Sequence, residues 1–174
     1  KDYDLLSIDK SKIIKTMESS GTSGQSVSKI FLDKVTAINQ TKVLTKIVAE
    51  YLGKKRLPMV IIDTDSVLRD RNQFSARGAG ILGFSIFGKE IIYVLDDNMH
   101  LDINALIGFC KKYENEQILF FGFTSIIWEH FYEPLVSRGE NIQIENAIII
   151  HGGGWKKLVE KEIDNNTFKN RLKN

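Results

Sequence analysis

Short apolar runs alternate with longer amphipathic segments through most of the chain. Continuous apolar runs predict buried strands at residues 58–62, 91–95, 118–121 and 147–150. Apolar positions three or four residues apart predict helices over residues 44–52, 103–110 and 127–135. Asp33 is suited to cap the first of these helices, and Gly53 is suited to end it.

The two ends of the chain read differently from its middle. A first strand is expected to end near Glu18, and a second extended piece covers residues 30–32. A run of small residues after Glu18 predicts a loop. Residues 160–174 are strongly polar, which predicts a polar tail or an exposed helix.

The alternation of strands and helices predicts an α/β fold, with a layered, mostly parallel sheet and helices on both faces. Parallel neighbours need long crossovers, and helices usually supply them. A length of 174 residues suits one domain, so residues 1–174 are expected to form a single α/β domain. Ligands of such sheets bind at the carboxyl ends of strands, which makes the loops after Glu18, Asp63, Phe121 and Ile150 the places to search.

Composition and charge exclude several classes of protein. A net charge of +2 with scattered lysines argues against a nucleic-acid partner, and no apolar run approaches the roughly 20 residues of a membrane span. Cys110 is the only cysteine and no leader segment is visible, so a cytoplasmic location is expected. Cys110 lies on an apolar helix face, which favours packing over reactivity. The three histidines show no metal-binding spacing, so no metal site is predicted.

The loop after the first strand could hold an anion. Glycines let backbone N–H groups converge on one point, and neighbouring hydroxyl groups add donors. No Walker A lysine follows, although Lys29 is close enough in sequence to reach a phosphate. The alternative is an ordinary turn. The loop consists of Ser19, Ser20, Gly21, Thr22, Ser23 and Gly24.

Three consecutive glycines, Gly152, Gly153 and Gly154, follow the last predicted strand. Freezing three glycines is entropically costly, which favours a ligand lying against bare backbone. The alternative is a tight strand-to-helix connection with Trp155 as a core anchor.

Residues 78–83 match the spacing of the dinucleotide fingerprint, and Asp96 lies near the expected distance downstream. The fingerprint requires an apolar strand before its first glycine, and a polar segment precedes it here. A flexible glycine-rich loop is therefore favoured over an NAD site. An aromatic-rich region at residues 120–132 could line an acyl pocket or pack in the core.

Five segments in series resemble the acyl-protein synthetase (LuxE) family, a branch of the adenylate-forming enzymes. The resemblance extends from about Met17 to Leu158. No segment is decisive alone, and the specificity comes from their order. The segments are Ser19–Gln25, Pro58–Asp63, Ser75–Gly78, Phe121–Thr124 and His151–Lys156.

The resemblance implies ATP-dependent activation of a carboxylic acid, such as a fatty acid, to an acyl-adenylate, followed by acyl transfer to a protein thiol. ATP and Mg²⁺ are the implied cofactors. By this resemblance the loop Ser19–Gly24 grips the triphosphate and Gly152–Gly154 border the adenine, while Thr22 and Lys29 are the catalytic candidates. The usual Pro-Lys-Gly around that lysine reads Ser-Lys-Ile here. The implied substrate pocket contains Gly122, Phe123, Thr124 and Trp155.

A later Tyr-Gly-x-x-Glu-like segment and a lysine-bearing mobile domain, both present in adenylate-forming enzymes, are not recognisable. The chain is therefore expected to be a central fragment of a longer enzyme and inactive alone. The alternatives are a non-catalytic nucleotide-binding module and an NAD-binding Rossmann-type domain.

Overall fold

The computed structural model describes residues 6–18, 29–69, 75–140, 142–154, 158, 161 and 163–173. The chain forms two compact units, one of residues 1–55 with 70–83 and the other of residues 56–69 with 84–174. The expectation of one domain stays a prediction.

The first unit contains an antiparallel strand pair and a long helix. Strands β1 (Ile13–Glu18) and β2 (Lys29–Asp33) pair directly, and helix α1 (Lys34–Leu52) follows without a break. The Asp33 carboxylate accepts a hydrogen bond from the Thr36 N–H at 2.7 Å, which caps α1. Gly53 ends the helix with φ 74°. Both predicted helix ends are confirmed.

The apolar face of α1 is narrower than the sequence predicts. Val48 and Leu52, four residues apart, are buried, as expected for one stripe of a helix. Ile47 and Tyr51 were assigned to the same face, but they are 55% and 76% exposed. They lie on the adjacent stripe, about 100° around the helix axis.

The segment predicted as a flexible glycine-rich loop is helix α2 (Ala76–Phe84). The Ser75 hydroxyl accepts a hydrogen bond from the Gly78 N–H at 3.0 Å at the start of this helix. Gly78 and Ile81 are buried, so tertiary packing offsets the low helix propensity of glycine. The loop prediction is wrong. Glycines inside a helix do not form the phosphate-binding turn that the dinucleotide fingerprint needs.

The second unit is built on a four-stranded parallel sheet with strand order β4-β3-β5-β6. The predicted runs are all strands, although β4 starts before its predicted run 91–95. After β4 ends, the Val94 and Leu95 N–H groups still donate to the carbonyls of Ile61 and Asp63. Backbone pairing with the β3 segment therefore continues past the end of β4. The strands are β3 (Leu57–Ile62), β4 (Gly88–Tyr93), β5 (Ile118–Phe123) and β6 (Ala147–Gly152).

Helices flank this sheet, so the layered α/β fold is confirmed. Helix α3 (Ile103–Lys112) connects β4 to β5. A composite helix follows β5, formed by α4 (Thr124–Ile126), a π-helical stretch (Ile127–Tyr132) and α5 (Glu133–Ser137). The polar carboxyl-terminal stretch contains helix α6 (Asn165–Lys173).

Strand side chains alternate between two buried faces, as the continuous apolar runs require. On one face Val60 and Phe120 join a core with Trp128 of the π-helical stretch and Phe168 of α6. On the other face Phe84 stacks on Phe121, with ring centroids 4.3 Å apart. The aromatic-rich region therefore packs mainly in the core. Among the described residues, no helix has the length and apolar character that crossing a bilayer requires.

Gly122 of β5 lies where no side chain fits easily. A Cβ added there would lie 3.0 Å from Ile127 Cγ1 and 3.1 Å from Ile62 Cβ. We expect Gly122→Ala to lower the free energy of unfolding by about 1–3 kcal/mol, the usual cost of overpacking a core. Urea denaturation followed by circular dichroism measures it.

The matched control is Gly108→Ala in α3, where an added Cβ meets no atom within 4 Å. Alanine there should stabilise the chain by about 0.4–1 kcal/mol because it is the better helix former. Equal effects of the two substitutions would contradict the packing argument.

Candidate functional site

The carboxyl ends of β5 and β6 lie side by side. Parallel register places Phe123 opposite Gly152, the last pair of the two strands. The segments predicted to line a substrate pocket and to border a nucleotide are thus brought together at one edge of the sheet. This edge, formed by residues 122–124 and 151–154, is called the rim below. It is where ligands of parallel α/β sheets bind.

Bare backbone is a structural requirement at Gly153. Its φ of 94° lies in the region that side-chain-bearing residues rarely adopt. A Cβ there would also lie 3.1 Å from Phe123 Cδ1. Gly153 and Gly154 are exposed, so the turn presents backbone rather than side chains to solvent.

A hydrogen-bonded chain holds the base of this turn. The buried Thr124 hydroxyl donates to the Gly152 carbonyl at 3.0 Å and lies 2.9 Å from His151 Nδ1. The His151 ring packs against Phe168, with centroids 4.9 Å apart. Burial, and then the nearby charge of Lys169, lowers the pKa of His151, which favours neutral imidazole at physiological pH.

A second polar cluster lies after β3 and β4, partly in the loop after Asp63, and its pairing with Asp97 carries no signal in the sequence. The Thr64 hydroxyl donates to Asp97 at 3.0 Å, and Arg69 pairs with Asp65 at 2.7 Å and with Asp97 at 3.4 Å. The hydroxyls of Thr64 and Ser66, followed by the Arg69 charge, lower the pKa of Asp97. The ion pairs of Arg69 with Asp65 and Asp97 are well exposed and therefore contribute little to stability. The only sequence signal was the position of Asp63 at a strand end.

The other predicted site residues divide into two groups. Ser19–Gly24, including Thr22, and Trp155 lie outside the described residues. Lys29 begins β2 in the first unit and is exposed. The roles assigned to all of them stay predictions. In the described part of the chain, no three His, Cys, Asp or Glu side chains are grouped to hold a metal ion.

A cavity of about 630 Å³ lies at the amino end of β6, away from the rim. Apolar side chains from α3, β5, the π-helical stretch, α5 and β6 form much of its wall. Charged residues at its edge carry both signs: Glu140, Glu145, Arg171 and Lys173.

The fold and the rim define an α/β protein with a candidate ligand site at the carboxyl ends of its parallel strands. The chain belongs to the acyl-protein synthetase (LuxE) family, whose family model matches residues 2–174. The comparisons with curated proteins and with solved structures gave no match.

Cys110 is a poor candidate for an acyl-accepting thiol. It is half-buried beside the core, and burial raises its pKa from 9.0 to about 11. We expect the native thiol to react with Ellman's reagent at pH 8 about a hundredfold more slowly than in the unfolded chain, because the thiolate is the reactive form. The rate should rise with pH up to about 11. Comparable rates in native and guanidinium-unfolded protein would contradict this expectation.

Proposed function

We propose that this chain takes part in ATP-dependent activation of a fatty or other carboxylic acid to an acyl-adenylate, with pyrophosphate released, followed by acyl transfer to a protein thiol. Membership of the acyl-protein synthetase family supports the reaction class. The observation that carries the proposal is the exposed glycine turn beside Phe123 and Thr124 at the carboxyl ends of two parallel strands.

The rim fits the flat, uncharged part of a nucleotide. Because Gly153 has no Cβ, its backbone lies close to the Phe123 ring: a Cβ there would be 3.1 Å from Phe123 Cδ1. A purine ring can lie against such a surface by stacking and backbone hydrogen bonds. We assign adenine to Gly152–Gly154 and the neighbouring substrate pocket to Gly122, Phe123, Thr124 and Trp155.

Bound ATP supplies the adenylyl group, and Mg²⁺ neutralises charge on the phosphates. Proteins often bind Mg²⁺ through one or two carboxylates together with substrate phosphates, so a cage of three protein ligands is not required. The loop Ser19–Gly24 is assigned to the triphosphate through its backbone N–H groups and hydroxyls, with Thr22 and Lys29 as donors. These residues bind and orient phosphate. The chemistry needs little side-chain acid or base.

The first experiment tests ligand preference by calorimetry on the chain. We expect an acyl-sulfamoyl adenosine, a non-hydrolysable acyl-adenylate mimic, to bind at least tenfold more tightly than ATP, because it carries both the nucleotide and the acyl group. NAD should not bind measurably. Equal affinities for ATP and the mimic would favour a non-catalytic nucleotide-binding module instead. Preference for NAD would contradict both.

Pyrophosphate release in the presence of ATP, Mg²⁺ and fatty acids of varied length then tests the reaction itself. The isolated chain is expected to release none. Acid-dependent release would support activation and overturn the expectation of inactivity, and its dependence on the length of the fatty acid would identify the preferred acid. Binding of the mimic without any release would limit this chain to holding the intermediate.

Gly153→Ala tests the glycine turn. Alanine at φ 94° costs about 1–2 kcal/mol. If the turn of the free variant relaxes to avoid this strain, it must return to the strained conformation to bind the mimic, and the strain then lowers the affinity. The dissociation constant should therefore rise roughly 5- to 30-fold. Calorimetry measures the change. The same assay on Thr22→Ala tests the serine-rich loop, Ser19–Gly24.

Gly139→Ala is the matched control for this substitution. Gly139 also has a positive φ, 68°, but it follows α5, and an added Cβ there meets no atom within 4 Å. Alanine should strain the backbone similarly without changing affinity for the mimic. Unchanged affinity of Gly153→Ala would remove the glycine turn from the site.

A further inference from the structure

We propose that His151 is a positioning residue: its Nδ1–H donates to the Thr124 hydroxyl, which donates to the Gly152 carbonyl, and this chain fixes the glycine turn for the ligand. The ligand part of the proposal rests on the proposed function. The hydrogen-bonded chain itself does not.

The direction of the chain follows from counting protons. A backbone carbonyl can only accept, so the single hydroxyl proton of Thr124 goes to the Gly152 carbonyl. The Thr124 oxygen must then accept from His151 Nδ1, 2.9 Å away. A neutral imidazole carries a single N–H proton. Because Nδ1 must donate to Thr124, that proton is assigned to Nδ1. Two contacts thus select one of the two neutral tautomers.

Each member of the chain is held by the fold. Thr124 is 1% exposed and begins α4 directly after β5. His151 lies in β6, opposite Gly122 in the sheet register. Its ring is packed against Phe168 of α6. The hydrogen-bonded chain therefore joins Thr124, one residue beyond the last paired position of β5, to His151 and Gly152, the last two residues of β6, where the glycine turn begins.

Burial makes the hydrogen-bonded chain from His151 through Thr124 to Gly152 harder to break. The Thr124 hydroxyl is buried and uses both its donor and its acceptor function. Breaking either hydrogen bond would leave a buried polar group unsatisfied, which costs free energy. The lowered pKa of His151 keeps the ring neutral, so the tautomer is the relevant variable. With its proton committed to Gly152, the Thr124 hydroxyl acts on the ligand through the position of the turn.

Matched substitutions separate this role from simple packing. Thr124→Val keeps the shape but removes both hydrogen bonds, whereas Thr124→Ser keeps them. His151→Asn keeps a donor close to the Nδ1 position, whereas His151→Gln moves its amide toward the Nε2 position. Ser137→Ala removes one exposed hydroxyl bond far along the composite helix and serves as the remote control.

The first measurement needs neither a ligand nor a variant. Long-range ¹H–¹⁵N NMR spectra of the native chain should show His151 as the Nδ1–H tautomer at pH 7.5. Finding the Nε2–H tautomer would overturn the proposal whatever the protein binds.

The second measurement follows the Gly153 and Gly154 amide resonances without ligand. They should shift in Thr124→Val and His151→Gln and stay near their native positions in Thr124→Ser and His151→Asn. Denaturation midpoints of all variants identify any that fail to fold. Equal shifts in the folded members of a pair would overturn the proposal.

The third measurement is affinity for the acyl-adenylate mimic. His151→Gln, which removes one hydrogen bond, should raise its dissociation constant about five- to tenfold, and Thr124→Val, which removes two, should raise it at least as much. Thr124→Ser and His151→Asn should recover most of this loss, and Ser137→Ala should have no effect. Native affinity in Thr124→Val would overturn positioning while leaving the proposed function intact. If the Gly153 and Gly154 resonances shift as expected but the protein binds no nucleotide, the proposed function is overturned and the positioning role stands.

Discussion

The parallel register between β5 and β6 is the constraint on which the candidate site depends. It places Phe123 opposite Gly152 and brings Thr124 to His151 from 27 residues away. A shift of one residue would turn every side chain of a strand to the other face and separate these partners. Close packing on both faces opposes such a shift, because Leu119 and Phe120 face opposite sides, are both buried and differ in size and shape.

The rim combines a hydrogen-bonded base with a turn that requires glycine. The strand ends are fixed by the sheet and by the Thr124 hydrogen bonds, whereas Gly153 adopts a backbone conformation that few residues tolerate. Glycine adopts this conformation without strain, which lets the backbone come close to the Phe123 ring. Here the close approach of Phe123 and the fixed carbonyl of Gly152 leave the turn little freedom. A ligand would then meet a surface that is already formed, which lowers the ordering cost of binding.

Much of the sheet could be predicted from the sequence because strands buried on both faces read as continuous apolar runs. The caps at Asp33 and Gly53 could be predicted because they act locally. Helix α2 could not, since the burial of Gly78 and Ile81 is a tertiary effect that composition does not reveal. The His151–Thr124 bond was missed for the same reason: a single histidine carries no spacing signal, and its partner is distant in sequence. Whether the serine-rich loop meets the glycine turn stays a prediction.

Carboxylates are distributed unevenly along the carboxyl ends of the strands. Carboxylates gather after β3 and β4, where Asp97 is held by Thr64 and Arg69. Residues 122–125 and 151–154 contain no carboxylate at all. Negative charge is therefore concentrated beside β3 and β4, where Arg69 offsets part of it, and the ends of β5 and β6 offer a surface without it. Such a surface is compatible with an uncharged part of a ligand, which is the role that the proposed function gives to the rim.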